Sequence, residues 1–375
     1  MDPVTHASLG AVVGGLVLGS RLGRKALVLG ALVALLPDLD ILIAYGDAVS
    51  DFTLHRGFSH SIPVLLLFSA VAAGVLSRIP ATREIGFQRC WWFFALVLVT
   101  HVLNDALTTY GTQLLWPLPV GPVGTGSIFV IDPLYTLPLL IAAIVAAFWR
   151  FAPRALVAGL VISTAYAGSG LALQAWLDHR IQPTLAQAGL DDQPRLVQPT
   201  PFNMLVWRVT VVDGAYFHEA WVGIFDQPLR PDFETFRRDP HGLEETAMEL
   251  EDGQRLRAFS GPFLRFHPDF SADGPPRLVA TDIRLGGPGY FPFGFAIAEH
   301  DDGEWRPITS ERVREDGPLD EALRAIARRA FQPDRIGCIG DLGAPDYFVT
   351  SPPPRCRMRM GLPGAHPGDP IRPRL

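Results

Sequence analysis

Six apolar stretches in the first 176 residues, at about 7–20, 26–45, 61–79, 91–109, 134–149 and 155–176, constrain this chain more than any other feature. A helix needs about 20 predominantly apolar residues to cross a bilayer. The runs 26–45, 61–79, 91–109 and 155–176 approach that length; 7–20 is glycine-rich and 134–149 is short. The expectation is an α-helical polytopic membrane domain of about four to six spans, followed by a small, mainly β soluble domain.

Composition agrees. Of the 375 residues, 48% are apolar and 19% charged, against about a quarter charged in an ordinary soluble domain, and mean hydropathy is above zero. The charge is unevenly divided, because residues 1–176 hold only nine of the 32 Lys/Arg and eight of the 38 Asp/Glu. Disorder, collagen, coiled coil and nucleic-acid binding through a basic surface are excluded. Cys90, Cys338 and Cys356 are too few and too scattered for a disulfide framework or a zinc knuckle. The opening MDPVTHASLG lacks the positive region of a signal peptide, so the first apolar segment is expected to stay in the mature chain.

The basic residues set an expected orientation. Arg21, Arg24 and Lys25 follow the first segment, Arg78, Arg83 and Arg89 follow the third, and Arg150 and Arg154 follow the fifth. The alternate loops, 46–60 and 110–133, contain only Arg56. The positive-inside rule puts the basic turns in the cytoplasm. With six spans, the other loops and the C-terminal half then lie outside a cytoplasmic (inner) membrane.

Ionisable residues beside apolar runs are costly and mark sites or internal pairs. Here they form a set: His6, Asp38 and Asp40 in LLPDLDIL, His55 and His60 in LHRGFSHS, His101 and Asp105 in THVLNDALTTYG, and Asp132 in VIDPLY. In the six-span arrangement all of them fall at one membrane face. His101 and Asp105 share a helix face as i and i+4, a spacing at which two ligands can hold one metal ion. Asp38 and Asp40 point the same way if their backbone is extended. The mixed nitrogen and oxygen set suits Zn²⁺, Mn²⁺ or Fe²⁺, and four carboxylates would balance two divalent ions, so one or two ions are expected.

Each residue also has a plainer reading. His6 can be a surface or capping residue, Asp38 and Asp40 a polar helix end, and His101 with Asp105 a structural pair. Asp132, before Pro133, can be a helix N-cap. Arg56 can clamp an anionic substrate or a developing oxyanion, or else pair with a headgroup, Asp47 or Asp51. Thr108, Thr109 and Tyr110 can supply hydrogen bonds or simply form a helix exit.

His6, the LPDLD run at 36–40, HRGFSHS at 55–61 and HVLNDALTTYG at 101–111 together resemble the YdjM-like family. That family is described as inner-membrane-associated metal-dependent hydrolases, and its label also mentions LexA binding. The likeness covers roughly residues 1–170. The two longer motifs are also distantly similar to the zinc-dependent phospholipase C and single-strand nuclease group, whose second His-x-x-x-Asp pair is not visible here. The resemblance implies His6, Asp38, His55, His60, His101 and Asp105 as the leading ligands.

The resulting expectation is a membrane-bound hydrolase acting on a phosphoester or lipid-like ester through a metal-activated water. Asp40 or Asp105 would be the general base and Arg56 would face the substrate's anionic group. The alternative is a non-catalytic membrane metal sensor or assembly protein whose C-terminal domain binds a partner. Expected contacts are membrane lipids and a lipid or phosphoester substrate; no motif identifies a protein partner.

After Trp176 the chain turns polar and proline-rich. Segments 205–213, 215–226, 277–285 and 290–299 read as strands, and 320–330 as a short amphipathic helix. The domains are accordingly drawn as 1–176, membrane-embedded; 177–315, mainly β; and 316–375, a short helix with a Pro/Gly/Arg-rich disordered tail.

Overall fold

The computed structural model describes residues 1–80, 82–149, 152–227, 229, 231–270, 274–315, 319–331 and 349–351. Helices α1 (Pro3–Leu22), α2 (Lys25–Ala34), α3 (Ala48–Leu54), α4 (Ile62–Leu76), α5 (Phe87–Asp105), α6 (Pro133–Phe148) and α7 (Pro153–Ala188) form the N-terminal region. Short 3-10 turns at Pro37–Leu42 and Phe58–His60 interrupt it. Among the described residues α1 and α7 are long and apolar enough to cross a membrane, and α4, taken with the segment before it through a 49° bend, makes a third candidate.

Two expected spans take a different form. The run 26–45 is helical only to Ala34; Pro37 then opens a 3-10 turn, which the apolar count did not register. The run 91–109 belongs to α5, whose Gln88, Arg89, His101, Asn104 and Asp105 leave it less apolar than a span requires. α6 is 16 residues long.

α1 is the central helix, packed on α2, α5, α6 and α7. Its glycines let α2 come close. A Cβ on Gly10 would lie 2.3 Å from that of Ala34, and one on Gly30 would lie 2.1 Å from the Gly10 carbonyl oxygen. Small residues allow such backbone approach between apolar helices, and this accounts for the glycine-rich first segment. The up-and-down order leaves Arg21, Lys25, Arg78, Arg89 and Arg154 near one set of helix ends. The start of α1, the end of α5 and the 3-10 turns lie at the other set.

The C-terminal region contains two antiparallel sheets. One has the order β1 (Arg195–Pro199), β2 (Val206–Asp213), β3 (Tyr216–Gly223), β4 (Glu234–Arg237), then β9 (Val349–Ser351). The other is a meander of β5 (Leu264–Asp269), β6 (Arg277–Asp282), β7 (Gly294–Asp301) and β8 (Glu304–Val313). Helices α8 (Leu243–Glu249) and α9 (Glu251–Ser260) come between them, and α10 (Leu319–Phe331) follows. The expected strands overlap β2, β3, β6 and β7, and the expected 320–330 helix is α10. Apart from α10 and Val349–Ser351, the expected tail lies outside the described residues.

Arg208 of β2 pairs with the fully buried Glu219 of β3 and donates to the carbonyls of Ile283 and Gly286 beyond β6, tying the two sheets together. α7 does not stop at Trp176. It runs to Ala188, and Leu177, Ile181 and Leu185 are buried against Trp207, Val209 and Val222. The boundary drawn at 176 therefore falls inside a helix that both regions share. α3 is likewise buried in the second sheet's core through Val49 and Phe52.

Two outcomes are expected. Gly30→Val should lower stability by about 3 kcal/mol or more, since backbone rather than a flexible side chain blocks the new atoms. Gly74→Ala, whose Cβ would meet only Arg78 Nη1 at 3.6 Å, should melt like wild type. Equal melting of the two variants in detergent would refute this α1–α2 packing. The second concerns His267 in β5, whose pKa burial, with help from the Arg265 guanidinium, pushes down to about 3. The unfolded chain takes up that proton near pH 6.5, so stability should fall as pH drops from about 6.5 toward 3. By linkage the fall is about 2 kcal/mol at pH 5. His267→Gln should remove that part of the acid sensitivity; an unchanged difference in melting between pH 7 and pH 5 would refute it.

Candidate metal centre

Four segments meet at the end of the bundle away from Arg21, Lys25, Arg78, Arg89 and Arg154. α1 contributes His6 from its second turn, and α5 contributes His101 and Asp105 from its last turns. The Pro37–Leu42 turn contributes Asp38, and the Phe58–His60 turn contributes His60. The chain reaches the last turn through Arg56, whose φ of 61° is left-handed, a conformation uncommon for a residue with a side chain. The Arg56 N–H donates to Asp40 Oδ2 at 2.9 Å and helps hold it there.

One donor atom from each of His6, Asp38, His101 and Asp105 lies within 4.8 Å of all the others. His6 Nε2 is 3.2 Å from Asp105 Oδ1, and the His6 and His101 rings stack at 3.6 Å. His101 Nε2 is 3.4 Å from Asp105 Oδ2 and 3.5 Å from Asp38 Oδ1. His60 Nε2 adjoins this group, 3.3 Å from Asp105 Oδ2, 3.4 Å from Asp38 Oδ1 and 3.3 Å from His101 Nε2. His6, His60, His101 and Asp105 are buried, whereas the Asp38 side chain is 24% exposed and marks the mouth.

The donor set fits a divalent cation. Three imidazole Nε2 atoms and two carboxylates face one another. Asp105 Oδ2 is buried without a hydrogen-bond partner, although buried polar atoms are nearly always bonded. Mixed imidazole and carboxylate ligands suit zinc and its first-row neighbours. Positive charge already gathers at Asp105: the Met1 amine contacts its Oδ1, and Arg56 Nη2 lies 3.0 Å from the same atom.

The remaining predicted residues have other places. Asp40 does not join the group of four. Its Oδ1 contacts His55 Nδ1 at 2.9 Å, and its Oδ2 accepts from the Arg56 N–H and, at 2.6 Å, from Ser59 Oγ. Residues two apart point in different directions on a 3-10 turn, so Asp38 faces the cluster and Asp40 faces the 55–60 turn. The expectation that both point the same way, which assumed extended backbone, is corrected. His55 stands beside His60, with ring centroids 6.0 Å apart, and outside the group of four. Asp132 is not brought to the cluster at all: it caps α6 through the Leu134 and Tyr135 N–H groups and accepts from the Tyr166 hydroxyl. With only two carboxylates in the group, the charge argument for two ions falls away.

Sequence reasoning missed Ser59, which also lies 2.9 Å from His60 Nδ1; its place directly before His60 in FSHS was the available signal. Thr108 is a helix exit, bonding the Asp105 carbonyl. Tyr110 donates to the Phe52 carbonyl at 2.6 Å and lies under the Arg56 guanidinium at 5.1 Å, joining the cluster's rim to the sheets.

These motif-bearing residues lie within a segment that matches known proteins. Residues 1–177 match the YdjM inner membrane protein family. The Escherichia coli (strain K12) inner membrane protein YbcI is similar to this chain, 33% identical over 118 residues, covering 31% of this chain and 66% of YbcI. The uncharacterized protein YfhP of Bacillus subtilis (strain 168) is 26% identical over 303 residues, covering 78% of this chain and 89% of YfhP. That alignment is longer than the matched segment 1–177 and so extends into the sheets. No solved structure matches, and the matched family and relatives lend no support to the more distant likeness to the phospholipase C and nuclease group.

Removing cluster histidines should remove metal. Full-length protein purified in detergent should bind close to one equivalent of Zn²⁺, and His101→Ala and His6→Ala should lower that at least tenfold. Asp132→Asn should keep wild-type content. Equal metal in all four proteins would eliminate the site.

Proposed function

We propose that the protein is a membrane-bound, metal-dependent hydrolase acting on a phosphoester or lipid-like ester. The observation that carries this reading is the juxtaposition of the buried His/Asp group with Arg56. Only 8% of the Arg56 side chain is exposed, yet its Nε and Nη1 have no hydrogen-bond partner. A buried guanidinium with free N–H groups is a ready site for an anionic oxygen.

His6, Asp38, His101 and Asp105, with His60 beside them, are the residues that would hold the ion, Zn²⁺ being the best match to the donor set. A divalent ion in such a site supplies Lewis acidity and lowers the pKa of water toward neutrality. Asp40 is a positioning residue: it holds His55, Ser59 and the Arg56 backbone, and lies 3.6 Å from His60 Nδ1, so that the opposite nitrogen of His60 faces inward. Such outer hydrogen bonds fix the orientation of ligating histidines. Of the two carboxylates expected as general base, Asp40 has both oxygens engaged in hydrogen bonds, and Asp105 stands among the residues that would hold the ion. Arg56 orients the substrate's anionic group.

The proposal includes a multi-pass arrangement of four to six spans, with α2, α5 and α6 completing the bundle. The arginine-rich helix ends would be cytoplasmic, and the cluster and sheets extracytoplasmic. The positive-inside bias supports this orientation, as does the burial of α3 against the second sheet, which keeps the cluster and the sheets on one side.

Zinc-loaded full-length protein should release nitrophenol from nitrophenyl phosphate esters, lose that activity with a chelator and regain it with Zn²⁺. Arg56→Gln should keep its zinc and lose at least 100-fold in kcat/KM, about 2.7 kcal/mol of transition-state stabilisation. A fully metal-loaded protein inert toward phosphate and carboxylate esters alike would overturn the hydrolase and favour a sensor.

A further inference from the structure

The surroundings of the cluster differ sharply between its two sides. On the sheet side, Arg56 is backed by Tyr110, whose ring packs edge-on against Phe52, Phe259 and Phe293. This aromatic layer is continuous with the core of the second sheet. On the other side lies Asp38, the one member of the group of four with an accessible side chain. The turn that carries it also carries Leu39, Ile41 and Leu42, which are 53%, 75% and 79% exposed. The segment after α5 packs on the His60 turn, which carries another member of the cluster: Ser61 Oγ donates to the Trp116 carbonyl and the Ile62 N–H to the Leu114 carbonyl. There Phe58 and Trp116 stand edge to face, and both are exposed along with Leu118.

A soluble enzyme seldom surrounds a polar site with exposed Leu, Ile and Trp side chains, and contiguous exposed apolar surface marks an interaction or membrane face. Trp is also favoured where a bilayer meets water. The polar centre itself calls for an anion. Two carboxylates balance one divalent ion, and Arg56 then adds a positive charge, with no hydrogen-bond partner at Nε or Nη1.

We propose that this site is entered sideways from the lipid by an amphiphile with an anionic phosphate headgroup, the Leu39–Leu42 turn and the Phe58–Trp116–Leu118 rim flanking its chains while Arg56 takes its headgroup. The inference rests on the reading of the cluster as a substrate site and narrows its substrate class from esters in general to phospholipid-like molecules. It also assigns Leu39, Ile41 and Leu42 a role in specificity.

The test uses the zinc-loaded full chain in detergent and a dioleoyl phosphonate lipid, whose C–P bond resists hydrolysis, as the probe. Methylphosphonate serves as the tail-less probe and dioleoyl phosphatidylcholine as the zwitterionic one. The phosphonate lipid should bind at least tenfold more tightly than either. The combined variant Leu39→Ser, Ile41→Ser, Leu42→Ser should weaken the lipid tenfold or more, with zinc content and methylphosphonate binding unchanged. Leu118→Ser alone, a milder change beside Phe58 and Trp116, should weaken the lipid about threefold. Arg56→Gln should weaken both phosphonates.

Equal binding of the lipid and methylphosphonate would mean a site for soluble phosphate and would overturn the inference. So would equal binding of phosphatidylcholine, or wild-type lipid affinity in the rim variants. Turnover of a soluble nitrophenyl phosphate in the same preparation separates the two proposals. Turnover without lipid preference leaves the hydrolase standing and removes this entrance; selective lipid binding by a zinc-loaded protein inert toward soluble and lipid phosphate and carboxylate esters alike does the reverse.

Discussion

Asp105 is a fully buried carboxylate, and the N-terminal region is arranged around it. An ionised carboxylate away from water is tolerated only when paired and hydrogen-bonded. Asp105 is met by Arg56 Nη2, the Met1 amine and His6 on one oxygen, and lies beside His60 and His101 on the other. Those partners come from the chain start, α1, the 55–60 turn and α5 itself. The requirement explains why α2 stops short of a full span. A longer α2 would carry Asp38 along a regular helix, whereas the break at Pro37 turns the chain and lets Asp38 enter the same pocket.

The parts of the molecule readable from sequence are those governed by local rules. His101 and Asp105 share a face because α5 is helical there. The β-branched and aromatic content of 205–213 and 215–226 marked β2 and β3 closely, whereas the apolar run 155–176 marked only the first part of α7, which continues as a more polar helix to Ala188. Asp132 before Pro133 carried the signature of an N-cap, and that plainer reading is the arrangement found. What failed were inferences needing a backbone state not yet known. The direction of Asp38 relative to Asp40 depends on whether two residues span an extended step or part of a 3-10 turn. Strand β8 was missed because most of its side chains are exposed, leaving no apolar alternation to read.

The convergence itself was only half legible. Hydropathy and arginine placement put the ionisable residues at one end of the bundle, but they could not sort those at the centre from those around it. The sorting is set by long-range contacts. Ser59 draws Asp40 toward the 55–60 turn, Tyr166 and the helix cap hold Asp132 at α6, and α1 carries His6 onto the ring of His101. Gly10 and Gly30 contribute indirectly, since α1 and α2 must touch at backbone distance for His6 and Asp38 to reach the same carboxylate.

Asp40 and Tyr110 together make the cluster and the sheets one mechanical unit. Asp40 holds the backbone at Arg56, Arg56 lies on Tyr110, and Tyr110 bonds the carbonyl of Phe52, which sits in the core of the second sheet. The chain of contacts from the candidate metal centre to that core therefore passes through side chains that are packed or hydrogen-bonded at each step. A shift of the sheets against the bundle would move Phe52 and Tyr110 first, and with them the guanidinium that faces Asp105. The alignment with YfhP is longer than residues 1–177 and so includes part of the sheets as well. Loops that carry function are held in place by the scaffold beneath them. Here the 55–60 turn is held from both sides, by Asp40 on the bundle and by the aromatic layer on the sheets.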